Sequence, residues 1–393
     1  MTRFRLAATA GSLALSIGLS ASPALAQIDG QQIVERMVGQ LNAQGLTASA
    51  EGVSVSGDDI TIATLTIAPA ADIDALVFED TVLEDVAETQ DGSYRVGRIA
   101  IPAMEHADDD VTVSFEGGAI IGYTIAGPEV TDPVLRGNLY ESFLMDGLTV
   151  SDEDGPVFSM DSARASMSPY APGETMQYDM EVAGMVADMS TLDDAQARQT
   201  MAALGYETLR GSMQGTGSWN AETGRMTLDP VTISVDDAAE LTMRMDFSGY
   251  TAELIGALQD MQRQMDEQNM DAMNMAMLGL MQQLEVNAIS FSLDDRSLTN
   301  RIVDFVAAQQ GVDRAGVVAM AKGMLPLGLA QLRAPEFAAE VTAAVGTFLE
   351  NPQSLTISAD PENAVPMAQL TAAAMSSPQT LIDILRVSVT ANQ

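Results

Sequence analysis

The sequence lacks cysteine and nearly lacks histidine and tryptophan: its 393 residues contain no Cys, one His and one Trp. Without Cys there are no disulfides, no thiol catalysis, no Cys-ligated zinc or iron–sulfur cluster, and no lipoprotein anchor. A Ser–His–Asp triad would have to use His106, and no Gly-Xaa-Ser-Xaa-Gly nucleophile motif accompanies it. We expect His106 to lie in the acidic turn before a strand. The sequence therefore predicts no cofactor, no metal site and no enzymatic activity.

Basic residues are also scarce. Lys and Arg number 18 against 55 Asp and Glu, which gives a formal net charge of −37 at pH 7. Such a surface repels phosphate backbones and anionic lipid headgroups, so we expect no nucleic-acid partner and no docking through a polybasic patch. A hydrophobic content of 47% with 19% charged residues indicates a globular chain, and the length is enough for two domains.

A long hydrophobic run is evident only at the N-terminus. Residues 1–26 begin with two arginines, continue with an apolar stretch from Leu6 to Leu19 and end in an Ala-Leu-Ala site. This pattern is typical of a secretory signal peptide. It predicts cleavage between Ala26 and Gln27 and a periplasmic location. No second stretch is expected to span a membrane, so the chain is predicted to have no transmembrane anchor after cleavage.

The region 27–189 is predicted to be an antiparallel β-rich domain with an N-terminal helix. The helix is expected over Gly30–Asn42, with Asp29 at its N-cap, and the hydrophobic period then changes from 3.6 to 2. Short strands recur on both sides of acidic turns, which lack the ligand spacing of a calcium loop and are interpreted as solvated hairpin tips. The pattern predicts a long meander with one apolar face and one solvated face. The acidic turns are 57–59, 108–110, 151–155 and 236–237.

The region 190–393 is predicted to be a second, α+β domain. It combines a hairpin that contains Trp219 with several helices, one of which, Asp313–Met324, is expected to stop before Pro326. The predicted fold class is therefore α+β: a repetitive antiparallel β meander, forming a curved sheet, followed by a domain of strands and a helical cluster. The sequence leaves open whether the two regions share one sheet.

Methionine is abundant, with 26 residues, and several Met form a stripe at helical spacing within 251–284. Thioethers can bind Cu(I), but this segment has no Cys or His to complete such a site. The stripe is instead interpreted as core packing or as an adaptable apolar binding face. The candidate binding face consists of Met261, Met265, Met270, Met273, Met277 and Met281.

Several C-terminal segments resemble a known family. These are Ser290–Ile302 with Gly311 after it, Asn351–Pro361 leading into Pro366, and the Trp219 hairpin. Together they resemble the C-terminal domain of a family of uncharacterised alphaproteobacterial periplasmic proteins. That family is distantly similar to the YdgA-like and AsmA-like β-rich envelope proteins.

The resemblance covers about residues 190–393 and implies no catalytic residue. AsmA-like relatives are thought to offer an apolar groove to lipids during envelope assembly. This chain differs from them in its small size and in its predicted lack of a membrane anchor.

The function expected from these observations is that of a non-enzymatic periplasmic protein of the cell envelope. Its partner would be a lipid or another apolar ligand held in a β groove, or an envelope protein. The first alternative is a structural or protein-interaction module without a small ligand. The second is a secreted hydrolase that uses a pair of carboxylates, which would require two acids converging in a deep pocket.

Overall fold

A computed structural model describes residues 28–68, 75–108, 111–263, 277 and 279–393. The predicted signal peptide and its cleavage site at Ala26 and Gln27 lie outside the described residues. A single antiparallel sheet of sixteen strands runs through the molecule, and helices accompany both of its ends. The predicted α+β fold with a long meander is confirmed.

The first helix, α1 (Gly30–Ala43), forms as the sequence predicts. The Asp29 side chain accepts a hydrogen bond from the Gln32 backbone N–H at 3.1 Å, which satisfies one of the free donors at the helix start. Ile33, Val34 and Met37 are buried on the side that faces the sheet. Helix α1 therefore closes over the first strands of the sheet.

The N-terminal part of the sheet consists of successive antiparallel strands. The acidic turns at 57–58 and 153–154 connect strands directly, and the Asp152 side chain accepts from the backbone N–H of Asp154 at 2.8 Å. The strands are β1 (Thr47–Ser56), β2 (Asp59–Ala68), β3 (Leu76–Glu88), β4 (Tyr94–Ile101), β5 (Met104–Asp108), β6 (Val111–Ile125), β7 (Ser142–Asp152), β8 (Gly155–Met167) and β9 (Thr175–Asp188).

The expectation that His106 lies in a turn is wrong. His106 is in strand β5 and pairs with Val113 of β6. The acidic residues after it obscured the strand, because β5 is short and pairs only with β6. The side chain is exposed, in keeping with a position at the side of the sheet.

The sheet continues without a break across the predicted domain boundary at residue 190. Strand β10 pairs with β9, and the later strands follow in sequence order, with β15 attached to β13 at the side. The division into two domains stays a prediction, although the two regions share one sheet. The remaining strands are β10 (Thr208–Asn220), β11 (Met226–Val235), β12 (Ala239–Ser248), β13 (Glu285–Asp295), β14 (Ser354–Ala359), β15 (Val365–Pro366) and β16 (Val387–Ala391).

Helices gather beside the C-terminal end of the sheet. Three of them, α4 (Leu298–Gln310), α5 (Arg314–Leu329) and α6 (Pro335–Glu350), enclose a small apolar cluster. The cluster includes Val303, Ala307, Val317 and Val318. Helix α6 also packs along the edge strand β16. The helices that follow α1 are α2 (Ala195–Leu204), α3 (Ala252–Arg263), α4 (Leu298–Gln310), α5 (Arg314–Leu329), α6 (Pro335–Glu350), α7 (Met367–Ser376) and α8 (Thr380–Ile384).

Helix α5 is longer than predicted, since it passes through Pro326 instead of ending at Met324. A proline removes one N–H donor, here the one that would bond to the Lys322 carbonyl. This end of the helix is exposed, so water can supply the missing donor, and the helix still continues with a bond from the Ala330 N–H to the Pro326 carbonyl.

The expectation that no second stretch is apolar enough to span a membrane is also wrong. Residues Arg314–Leu332 form a continuous helical stretch of 19 residues with a mean hydropathy of 1.4, which is sufficient by length and composition. Only 6% of its most apolar window is buried inside the protein. The interruption by Lys322 and Pro326 hid this stretch from inspection of the sequence.

Candidate functional site

One face of the sheet carries an unbroken row of cross-strand neighbours from β2 to β16. Directly opposed residues of an antiparallel pair lie on the same face, so a chain of opposed pairs defines one row. Every member is an apolar residue or glycine. The row consists of Ile60, Leu83, Ile99, Ile120, Phe143, Ala165, Met180, Gly215, Val231, Met243, Phe291, Ile357 and Val389.

A second apolar row runs beside the first, two residues further along each strand. Residues two apart in a strand share a face, so the two rows form one continuous surface. We call the two rows from β6 to β14 the apolar strip. The second row consists of Gly118, Met145, Ala163, Val182, Met213, Ile233, Leu241, Leu293 and Leu355.

The opposite face of the same strands is polar. In β9, the exposed residues Gln177, Asp179 and Glu181 alternate with the less exposed Tyr178 and Met180. This contrast confirms the predicted meander with one apolar and one solvated face. The polar row that backs the apolar strip consists of Arg164, Glu181, Gln214, Thr232, Thr242, Ser292 and Thr356.

The cover over the apolar face changes along the sheet. Under α1, Ile60 and Leu83 are 0% exposed, so this end is a closed core. In the middle strands most members of the two rows are half-buried. At the far end the neighbours Phe291 and Ile357 are 39% and 46% exposed. The apolar strip thus opens to solvent as it leaves α1.

An apolar cavity of about 130 Å³ lies at the closed end, between α1 and strands β2 to β6. A cavity of about 150 Å³ lined by aliphatic and aromatic side chains stays dry and accepts a molecule the size of benzene. Because Ile99, Ile101 and Ile120 line the cavity and also belong to the two rows or their continuation, the cavity is continuous with the apolar face. The other lining residues are Met37, Leu41, Leu65, Ile67, Phe78, Thr81 and Tyr123.

The Thr81 hydroxyl is the unusual group beside this cavity. Thr81 is 2% exposed, and its Oγ1 has no hydrogen-bond partner among the described residues. Tyr123 differs, since its hydroxyl lies 2.8 Å from Asn138 Oδ1 and donates to it, and burial raises the pKa of the Tyr123 phenol, which keeps it neutral. The Thr81 hydroxyl is therefore both unpaired and shielded from the cavity, whose lining is almost wholly apolar.

Sequence reasoning missed this cavity, although a signal was present. Thr81 shares the inward parity of Leu83 in β3, so it is a polar residue on an apolar face. A threonine in a strand is ordinary, because its β-branched side chain suits the pleated backbone. The isolation of the Thr81 hydroxyl arises from tertiary structure, because residues of α1 and β6 line the same cavity, and the sequence alone does not show this.

The predicted methionine face lies partly outside the described residues, since Met265, Met270 and Met273 belong to the segment 264–276. Of the other three, Met261 and Met281 are half-buried and Met277 is 39% exposed. Helix α3 is anchored elsewhere, through the buried Leu254 and through a bond from Gln259 Nε2 to the Pro133 carbonyl at 2.9 Å. The methionine binding face stays a prediction.

Within the described residues, acidic side chains line open pockets at the surface: Asp229, Asp246 and Asp360 lie beside Arg244 in one, and Asp80, Glu116 and Asp146 lie beside Arg98 in another. In the part of the chain that the structure describes, no group of three or more His, Asp or Glu residues could hold a metal ion. No Asp or Glu within the described ranges is classed as buried, and the ion pairs in those ranges lie at the surface. The described geometry thus combines an apolar strip and an apolar cavity with carboxylates that stay at the surface.

The comparisons with known proteins add one finding. A family model described only as "Uncharacterized protein" matches residues 232–392, which run from strand β11 to the end of β16. The match includes Ser290–Ile302 and Asn351–Pro361, two of the segments that carry the resemblance, whereas the Trp219 hairpin begins before it. None of the curated proteins matches the chain.

Proposed function

We propose that this protein is a non-enzymatic component of the cell envelope that binds a lipid or a similar amphiphile along the apolar strip. The observation that carries the proposal is the unbroken apolar row across the sheet, closed under α1 and exposed at Phe291 and Ile357. An extended acyl chain matches such a strip, because both are long, narrow and apolar. Covering the exposed side chains contributes about 25 cal/mol per Å² of apolar surface removed from water.

The closed end adds an argument about the kind of ligand. The cavity volume of about 130 Å³ fits roughly four groups of the size of a water molecule, so it would accept the end of a ligand and not a whole lipid. The lining of the cavity is almost wholly apolar, with the Thr81 hydroxyl buried behind it, so the cavity suits the hydrocarbon end of an amphiphile.

Two expectations from the sequence support the same proposal. The pattern of residues 1–26 predicts export to the periplasm, where lipids are in transit between membranes. The resemblance to alphaproteobacterial periplasmic proteins distantly similar to AsmA-like proteins implies an apolar groove for lipids. The periplasmic location, the resemblance and the absence of a membrane anchor are all parts of the proposal.

The first experiment is native mass spectrometry of the protein purified from a periplasmic extract, followed by organic extraction. We expect a co-purifying phospholipid or other amphiphile. The intact mass of the protein also reads the N-terminus and so tests cleavage after Ala26. A bare, homogeneous protein that takes up no added fatty acid would overturn the proposal.

A matched pair of variants locates the site. Met243 and Thr242 are adjacent in β12 and both half-buried, but they lie on the apolar and the polar face. We expect Met243→Glu to abolish retention of the amphiphile and Thr242→Glu to leave it unchanged. If Met243→Glu impairs folding, Phe291→Glu at the more exposed end serves the same purpose. Equal retention by all three variants would contradict binding along the strip.

The second candidate is an envelope module that binds a protein without a small ligand. The exposed neighbours Phe291 and Ile357 favour it, because an exposed apolar patch also suits a protein partner. A ligand-free mass combined with a stable partner whose binding is lost in Phe291→Glu would support this candidate. The third alternative, a carboxylate hydrolase, would have to use the open pocket lined by Asp229, Asp246 and Asp360. It is less favoured, because Asp229 and Asp246 are already held in ion pairs with Arg244 and Arg225.

A further inference from the structure

The turn between helices α5 and α6 forms a second apolar surface, far from the cavity under α1. Met324 and Leu327 are 70% and 76% exposed, and Leu332 is 39% exposed. Together with Met320, which is 42% exposed, Met324 and Leu327 have the spacing of one helix face. We call residues 323–335 the hairpin tip.

The charge of this segment is opposite to that of the molecule. From Arg314 to Pro335 the sequence has three basic residues and no Asp or Glu, although the whole chain carries 55 acids and 18 bases. Lys322 and Arg314 are paired with Glu350 and Asp304, at 2.6 and 3.0 Å. Arg333, at the tip, is exposed and has no ion pair with any residue that the structure describes.

The side of helix α5 that faces α4 is occupied, whereas Lys322, Pro326 and Ala330 line an open groove of about 760 Å³ towards α6. Val317 and Val318 are buried against α4, and the Lys322–Glu350 pair joins α5 to α6. If the whole stretch Arg314–Leu332 crossed a bilayer, it would have to leave these contacts and take Lys322 into the hydrocarbon. The hairpin tip, in contrast, can enter a membrane interface while these contacts stay intact.

We propose that the hairpin tip docks on a phospholipid bilayer that contains anionic lipid. Met324 and Leu327 enter the boundary between headgroups and acyl chains, and Arg333 contacts the lipid phosphates. The segment contains no Asp or Glu, which suits an anionic partner. A protein that recognised the acidic remainder of this chain would be basic and would be expected to bind outside the hairpin tip. Docking at the tip is independent of ligand binding in the apolar strip.

The net charge of −37 does not prevent this contact at physiological salt. The Debye length there is about 8 Å, so the acids of distant strands are screened while Arg333 acts at contact distance. The exposed Glu336, three residues further on, is the nearest acid in the sequence and reduces the attraction without reversing the charge of the tip. At low salt the long-range repulsion becomes stronger. Binding should therefore weaken when the salt concentration is lowered, the reverse of what a polybasic site would show.

The absence of Cys permits a direct test. Leu327→Cys is labelled with an environment-sensitive fluorophore, and Met375→Cys on α7, where Met375 is 85% exposed, serves as the matched control. The labelled proteins are mixed with phosphatidylcholine vesicles in which a quarter of the lipid is phosphatidylglycerol. We expect a blue shift and increased emission for the label at 327 and none at 375.

Two further variants define the contact. In vesicle flotation, Met324→Glu is expected to weaken binding about tenfold or more, because binding strength scales with the apolar area that enters the interface. Arg333→Gln should remove the preference for phosphatidylglycerol over pure phosphatidylcholine.

Three outcomes of the fluorescence test would overturn the proposal: no change at 327, an equal change at 375, or a change that depends on protein concentration without vesicles. The last outcome would indicate self-association. The label at 327 does not report on the apolar strip, so this result and the ligand result are read separately.

Discussion

At the scale of single residues, Thr81 leads to the sharpest prediction. Its hydroxyl is buried beside an apolar cavity with no partner among the described residues, so the ligand-free protein bears the cost of desolvating it. We expect Thr81→Val, which keeps the shape, to raise the free energy of unfolding by about 1 kcal/mol. Urea unfolding of the delipidated protein measures this change.

Thr227→Val is the matched control for this prediction. Thr227 is also a strand residue, half-buried where Thr81 is fully buried, and its hydroxyl lies 2.8 Å from the Ser218 hydroxyl and is hydrogen-bonded to it. Removing that bond should lower the free energy of unfolding by about 1 kcal/mol. If both variants destabilise the protein equally, the Thr81 hydroxyl is satisfied in solution and the argument from its isolation is wrong.

Gly217 leads to a second prediction at this scale. It lies in β10 opposite Tyr178, and a Cβ at this position would clash with the Tyr178 ring and with the Thr227 carbonyl. The carbonyl is backbone and cannot move aside, so Gly217→Ala should destabilise the protein by about 1–3 kcal/mol. Chemical denaturation with unfolding followed by Trp fluorescence measures the loss.

Gly215→Ala provides the comparison for Gly217→Ala. There the added Cβ would be 2.8 Å from Met180 Cε and 3.1 Å from Val231 Cγ2. Met180 Cε, the closer atom, ends a flexible side chain, whereas Val231 is buried and β-branched. Neither atom is backbone, so the smaller effect is expected at Gly215. The opposite order of the two effects would show that the packing at Tyr178 is looser than the structure indicates.

At the scale of elements, helices protect the two free edges of the sheet. On β1, the Asn42 side chain of α1 accepts from the Ala48 N–H at 2.6 Å and donates to its carbonyl at 3.3 Å. On β16, Glu340 Oε1 of α6 accepts from the Val389 N–H at 2.8 Å. Unpaired edge strands promote pairing with other molecules, so these side chains disfavour growth of the sheet.

Glu340 allows this protection to be tested. Glu340→Ala leaves the Val389 N–H free, and we expect a loss of about 1 kcal/mol together with concentration-dependent self-association. Glu340→Gln retains an oxygen that can accept the same bond and should behave like the unmodified protein. Thermal unfolding and analytical ultracentrifugation provide the two measurements. A monomeric, fully stable Glu340→Ala variant would show that packing alone protects this edge.

The sequence predicted the elements whose signals are local. Asp29 marks the start of α1, and the acidic turns mark hairpins, because capping and turn formation depend on neighbouring residues. It did not predict the strand at His106 or the passage of α5 through Pro326, since partner strands and solvent exposure decide those two cases. The pairing register between strands could not be inferred from the sequence either. The sequence therefore predicted an apolar face, but not the rows of residues that form the apolar strip.

At the scale of the whole molecule, the sheet separates the two proposed binding regions. Followed along the sheet, β14 lies twelve strand spacings of roughly 4.8 Å from β1, a path of about 60 Å. The closed cavity lies under α1 at one end, and the α5–α6 hairpin belongs to the helices beside the other end. An apolar surface connects the two ends, so a ligand received from a membrane at the hairpin end would meet continuous apolar contacts towards the cavity.

The net charge of −37 leads to the last prediction, which concerns the stability of the entire fold. Excess acids repel one another more strongly in the compact state than in the unfolded chain. Raising NaCl from about 10 to 150 mM shortens the Debye length from about 30 to 8 Å and screens this repulsion. We therefore expect the melting temperature to rise over this range, as measured by differential scanning calorimetry, with KCl giving the same curve. Surface ion pairs such as Arg225–Asp246, at 2.6 Å, are weakened by the same salt. A falling melting temperature would show that these pairs outweigh the repulsion, whereas different curves for the two salts would indicate specific cation binding at the acidic turns.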